Sequence, residues 1–355
     1  MERKKIAIVL FQLGGPDSLE AVEPFLYNLF LDPDIIDFPG AFLARKLLAR
    51  RIAASRSKPI GKHYAEIGGK SPINELTGLQ AKSLEKALRG NNLDARVFVA
   101  MRYWHPFTEE VIQELQQGSF EEVILLPLYP QYSKATTFSS MNEWRRQCGR
   151  LGFSIPTRLL CCYPNHPKYI NALVGNINET LKSFSKIDPS EIDLVFSAHG
   201  VPVDFIKKGD PYKLHVEETV KQVLQRGRWS SPHVISYQSK VGPARWLEPS
   251  LIGVIKSLGS AGRKNLLVIP VAFVTEHIET LHEINIEARE EAEHVGITRF
   301  EMMPALNDHP EYIACLVDLV MEAMNSPALN QTCRLLWNSK PGEPKPVLCP
   351  SFPSL

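Results

Sequence analysis

The sequence lacks any uninterrupted run of about 18 apolar residues, the length a helix needs to cross a hydrocarbon core, so a membrane-spanning helix is excluded. A charge surplus of either sign is also missing. Forty Lys and Arg offset 39 Asp and Glu to a formal net charge of +1, without the concentrated basic surface that a nucleic-acid backbone demands. The six cysteines, Cys148, Cys161, Cys162, Cys315, Cys333 and Cys349, contain no Cys-x-x-Cys spacing. Neither zinc nor a redox dithiol is expected, and free structural thiols in a reducing, cytoplasmic setting are. Leu13-Gly14-Gly15-Pro16 has neither G-x-G-x-x-G spacing nor a Walker lysine, which disfavours a nucleotide cofactor.

What is present is a soluble globular composition, 44% apolar and 22% charged over 355 residues, enough chain for two cores. Short apolar runs at residues 6–13, 95–101 and 123–128, then at 194–197, 234–237 and 266–271, read as strands. Amphipathic stretches at 18–31, 78–88, 108–116, 169–184 and 212–224 lie between them. This alternation predicts an α/β chain of two Rossmann-like, doubly wound domains with parallel sheets. The charged opening before residue 6 imitates a secretory signal, but Gly14-Gly15-Pro16-Asp17 follows where small cleavage-site residues belong, so a buried first strand is expected. A faint duplication supports two similar halves: Val123-Ile124-Leu125-Leu126-Pro127 and Leu267-Val268-Ile269-Pro270 both run into proline. The expected division is 1–155 and 156–308 for the two domains, 309–326 for a last helix, and 327–355 for an irregular tail rich in proline.

Ligands of open α/β sheets sit beyond the carboxyl ends of the strands. That rule selects residues 12–18, 102–106, 129–137, 199–202, 238–243 and 275–283, where nearly all the reactive side chains fall. In Ser197-Ala198-His199-Gly200-Val201-Pro202 a histidine leaves a buried strand and is held by a Gly and Pro turn, suited to metal ligation or proton transfer, or to a plain loop hydrogen bond. Downstream, Glu276, Glu279, Glu283, Glu287 and Glu291 share one face if their segment is helical, and Arg289 is the only Lys or Arg between Lys264 and Arg299. So dense a ladder invites a cation or protons, and carboxylates with imidazole suit a divalent metal such as Fe²⁺ held loosely enough to pass on. Arg102-Tyr103-Trp104-His105-Pro106 could clasp a flat, carboxylate-bearing ligand or equally form a packing cluster.

Taken together the chain resembles the ferrochelatase family over residues 5–318. The likeness is carried by Leu13-Gly14-Gly15-Pro16, residues 27–34, residues 64–72, residues 101–110, Tyr129-Pro130-Gln131-Tyr132-Ser133, Ser197-Ala198-His199-Gly200-Val201-Pro202, residues 237–243 and Glu276-His277-Ile278-Glu279-Thr280-Leu281. The resemblance implies a chelatase-like fold with an interdomain porphyrin cleft and a last helix that packs back towards the first domain. It implies insertion of Fe²⁺, a substrate, into a free-base porphyrin, protoporphyrin IX before coproporphyrin III. Alternatives are a cobalt or nickel tetrapyrrole chelatase and a non-catalytic haem or metal carrier.

By motif, His199 and Glu279 would be catalytic, and with Glu283 and Glu287 would handle metal or protons. Leu13, Tyr64, Arg102, Tyr103, Trp246 and His277 would touch the porphyrin. No permanent cofactor is implied. Some relatives carry a two-iron, two-sulfur cluster, but Lys134 stands where animal enzymes have one of its cysteines, and Cys333 and Cys349 are too sparse to supply the rest. Residues 38–48, opening with Phe38-Pro39, align with a segment that touches membrane in some relatives and could lie in an interface, or could be a core-facing helix.

Overall fold

Strand β1 (Ile6–Gln12) is IAIVLFQ, buried along its whole length, as a central parallel strand covered on both faces must be. It pairs with β2 (Ala95–Met101) on one side and β3 (Glu122–Pro127) on the other, and β4 (Thr157–Cys162) follows β3, all parallel. A two-residue strand, Thr332–Cys333, adds to the outer edge of β4. The computed structural model describes residues 5–35, 41–242, 244–325 and 332–333, with no side-chain description at 41–43 or 332–333. Most of the tail, Pro243, and residues 38–40 of the 38–48 segment therefore lie outside the described residues.

The second sheet is built from β5 (Ile192–His199), β6 (His233–Gln238), β7 (Asn265–Pro270) and β8 (Arg299–Met302), in the order β6-β5-β7-β8. The first runs β2-β1-β3-β4, which is the same order. In both, the chain winds one way from the founding strand and then the other, leaving a switch point beside that strand's carboxyl end. The Pro127 and Pro270 strands occupy the same place in the two sheets, so the duplication seen in sequence is a duplication of topology. It extends to the connections, because the segments after these strands, Lys134–Phe138 and Glu279–Ala288, both wind with π-type hydrogen bonding.

Two compact units result, one comprising Met1–Tyr163 with Ile313–Leu355, the other Pro164–Tyr312. The first unit runs past the turn near residue 155 because β4 hydrogen-bonds to β3 through Val123 to Leu125. The body of the last helix, Pro310–Asn325, belongs with it, and the Arg158 guanidinium at β4 donates to the Ala323 carbonyl at 2.9 Å. The first core gathers Phe11, Val123, Leu125, Tyr132, Trp144 and Leu159, and the second Val195, Ile255, Val268, Ile284 and Phe300. Deleting one such side chain to alanine costs about 2–5 kcal/mol. Among the described residues no helix is long and apolar enough to cross a membrane.

Helix ends follow local chemistry. Ser250 accepts the Gly253 N–H at 3.1 Å to open the helix Leu251–Ser260, and Pro167 begins Pro167–Leu181 with His166 as its cap. Residues 44–48 of the segment expected to touch membrane lie in the helix Ala41–Glu66, where Leu47 and Leu48 are exposed.

Candidate active site

His199 is the last residue of β5, two positions beyond the strand end expected from sequence, and it pairs in register with Gln238 of β6. Its ring direction is thus set by a sheet. Gly200 donates its N–H to the Gln238 carbonyl at 2.8 Å, and an added Cβ there would lie 2.8 Å from that oxygen and 3.2 Å from the Trp246 ring. No side chain fits, which is the reason for glycine after the histidine. Trp246 is fastened to the same turn, since Val203 and Leu247 N–H groups reach the Arg245 and Val201 carbonyls. The His199 ring lies 6.5 Å from Trp246 and 6.4 Å from Phe273, centroid to centroid.

Opposite, the chain leaves β7 and enters the π-wound segment Glu279–Ala288. Wider winding than 3.6 residues per turn brings residues four apart closer to one line, which aligns Glu279, Glu283 and Glu287 better than an α-helix would. The ladder is shorter than its sequence spacing promised. Glu276 turns inward, accepting the Ala305 N–H at 2.7 Å and the Thr280 hydroxyl. Glu291 lies in the α-helical continuation, 3.6 Å from Lys256, a cation distant in sequence.

Glu279, Glu283 and Glu287 stay on the face. The Glu279 carboxylate lies 3.1 Å from His277 Nε2. Burial pushes the Glu279 carboxyl up from its ordinary value, and positive charge at His199 opposes that rise, so the two groups share one electrostatic environment. Glu283 is raised to about 7, first by burial and then by its neighbour Glu279, although Ser239 and Gln238 hydrogen-bond to it. His277 is buried and lowered to about 4, chiefly by desolvation, which keeps it neutral. Glu287 is exposed, with Oε1 3.5 Å from His282 Nδ1.

Gln238 ties these parts together, and no role for it follows from sequence. Its Nε2 donates to the Glu279 carbonyl at 2.7 Å and to Glu283 Oε2 at 3.1 Å, while its Oε1 accepts from the Ser197 hydroxyl at 2.6 Å. One amide thereby fixes the ends of β5 and β6 to the start of the acidic segment. Its position at a strand's carboxyl end was the available signal.

In the first unit Arg102 and Tyr103 follow β2, their N–H groups bonded to the Gln12 and Leu13 carbonyls at 2.8 and 2.9 Å. Both side chains are already engaged. Tyr103 is 1% exposed and donates to Asp32, and Arg102 is ion-paired with the same carboxylate at 3.0 Å. Tyr64 is 2% exposed, so neither phenol presents an open ring face to a ligand, whereas Leu13 is half-buried. His277, likewise, has its buried ring turned to Glu279.

A half-buried imidazole at a switch point, in the same unit as two carboxyls that burial raises from their ordinary value, is an arrangement suited to an α/β enzyme that handles protons or a cation. The model of the family "Ferrochelatase" matches residues 5–324. The ferrochelatase of Geotalea uraniireducens strain Rf4 is 47% identical, over 91% of this chain and 99% of that one. That of Trichodesmium erythraeum is 42% identical, over 91% of this chain and 84% of that one. Among solved structures, SirB from Bacillus subtilis with Fe³⁺ superposes with a TM-score of 0.52 at 11% identity, covering 90% of this chain and 95% of its own, a likeness of fold. The chain belongs to the ferrochelatase family, the lyases that insert iron into a porphyrin in haem biosynthesis.

Proposed function

We propose that this chain inserts ferrous iron into a free-base porphyrin using His199 and Glu279 as its catalytic pair. The observation that carries the reading is the half-buried Glu279 carboxyl, 3.1 Å from His277 Nε2, which burial raises against the opposing charge of His199 at the carboxyl end of β5. A free-base porphyrin holds two inner N–H protons, so insertion needs a base near the ring and a path for the protons. His199 accepts a proton or guides the metal, Glu279 takes up the charge, and Glu283, titrating at about 7, passes protons on towards the exposed Glu287. The same imidazole and carboxylates suit Fe²⁺ in transit, because they form an open and weak ligand set.

For the macrocycle, Leu13 and Trp246 serve as apolar contacts and Arg102 as a carboxylate ligand. Tyr64 and Tyr103 support them from behind, and His277 acts through Glu279. Iron is a substrate, and we assign neither a resident cofactor nor a cluster, with Lys134 at the position already noted. Protoporphyrin IX, giving protohaem, is the porphyrin we favour, with coproporphyrin III the alternative. We place the work in the cytoplasm. Peripheral membrane contact through residues 38–48 is supported by exposed Leu47 and Leu48 beside Lys46, Arg50 and Arg51 on one helix.

An anaerobic insertion assay with Fe²⁺, Co²⁺ and Ni²⁺ against both porphyrins tests this directly. Turnover highest with Fe²⁺ and protoporphyrin supports the reading. Preference for cobalt or nickel, or stoichiometric binding without turnover, overturns it.

A further inference from the structure

Arg102 and Tyr103 both depend on one carboxylate to which no motif assigned a role. Asp32 stands at the C-cap of the helix Val22–Leu31, and its side chain is 0% exposed. Its Oδ1 accepts the Asp34 N–H at 2.8 Å, and its Oδ2 accepts from the Tyr103 hydroxyl at 2.7 Å, from Arg102 Nη2 at 3.0 Å and from the Ser139 hydroxyl. Ser139 in turn accepts Arg102 Nε at 2.8 Å. One edge of the guanidinium is therefore pinned at two nitrogens, while the backbone of the same residue is held by β1. A planar group fixed in this way has one orientation.

The unpinned Nη1 lies only loosely near Glu143, at 3.8 Å, and Arg102 lines a cavity of about 510 Å³ with Leu31, Arg45, Lys46 and Phe107. The carboxylates of that wall already have cations: Glu143 lies 3.0 Å from Arg146 and Glu109 2.5 Å from Arg150. Lys46 has no carboxylate partner among the described residues. The surplus charge of the cavity is positive, which selects an anion, and its apolar patches suit an anion on a short hydrocarbon arm.

We propose that Asp32 is a positioning residue: it turns Arg102 so that Nη1 meets one carboxylate of the porphyrin in this cavity, with Lys46 alongside. The inference rests on Arg102 being a carboxylate ligand, as assigned above. Asp32 also borders this cavity, but both of its carboxylate oxygens are taken by groups of the chain, so it acts through Arg102.

The test is fluorescence titration of a dicarboxylic porphyrin and of its dimethyl ester into the wild type, Asp32→Asn, Arg102→Ala and the double variant. Asp32→Asn should weaken binding of the acid about tenfold, leave the ester within about twofold, and add less than about twofold on the Arg102→Ala background. Equal losses for acid and ester, or a full further loss in the double variant, would overturn the positioning role. Unchanged acid binding by Arg102→Ala would overturn the Arg102 assignment and this inference with it. A loss for Arg102→Ala with none for Asp32→Asn would overturn the inference alone. Should Asp32→Asn not fold, Lys46→Ala changes only an exposed side chain. It should weaken the acid about threefold and spare the ester, and equal binding of the acid would refute the cavity as its site.

Discussion

Replacing Glu283 by glutamine should make the protein more stable at alkaline pH while making it a poorer catalyst. Glu283 is raised from an ordinary 4.5 to about 7. Between those values the folded chain holds a proton that the unfolded chain releases, so stability from this group is greatest below the lower value and falls as pH rises to 7. At 1.36 kcal/mol per pH unit the ionised carboxyl costs about 3 kcal/mol above pH 7. Glutamine carries no charge, and its carbonyl can still accept from Gln238 and Ser239. The advantage of Glu283→Gln over the wild type should therefore be near zero at pH 4.5 and grow to about 3 kcal/mol by pH 8. Denaturant unfolding of both proteins at closely spaced pH values measures it. A difference that does not change with pH, or that shrinks as pH rises, would refute the burial argument and with it the role of Glu283 as a proton carrier near neutrality.

Glu279→Gln should lower the insertion rate by about 100-fold, the usual contribution of a general acid or base, as read by stopped-flow porphyrin absorbance. Glu291→Gln should leave that rate within about twofold and cost less than about 1 kcal/mol, because its exposed partner Lys256 is lost at little expense; equal rates of loss for the two variants would contradict a graded path. Gly200→Ala should cost about 1–3 kcal/mol by thermal unfolding, since the new methyl meets the Gln238 carbonyl 2.8 Å away, and should lower activity by turning His199. A variant as stable and active as the wild type would show that the turn yields freely.

Much of this was legible in the chain itself. Each of the six segments picked by the strand-end rule follows one of the strands β1, β2, β3, β5, β6 and β7, because a parallel strand announces itself by a short run of apolar and β-branched residues, unbroken in the central β1. β4 and β8 were harder to read: TRLLCC follows proline and opens on Thr and Arg, and RFEM is four residues long with two charges suited to a sheet edge. The acidic face was readable as spacing, but its limits were not. Whether Glu276 turns inward to Ala305, or Glu291 finds Lys256, depends on residues brought together only by folding. The π-winding has no periodic signature of its own. Arg102 could be singled out as a cation beside aromatics, whereas Asp32 could not, since a buried carboxylate seventy residues upstream of its partners has no local mark.

The coupling between His199 and Glu279 is tested most directly by a double-mutant cycle. Anaerobic single-turnover insertion would be measured for His199→Ala, Glu279→Gln and both together, with porphyrin binding checked in each. Each single change should lower the rate by about 100-fold or more with binding retained, and the double variant should be no slower than the worse single one. Losses that multiply in the double variant, or near-normal insertion by His199→Ala, would contradict that coupling.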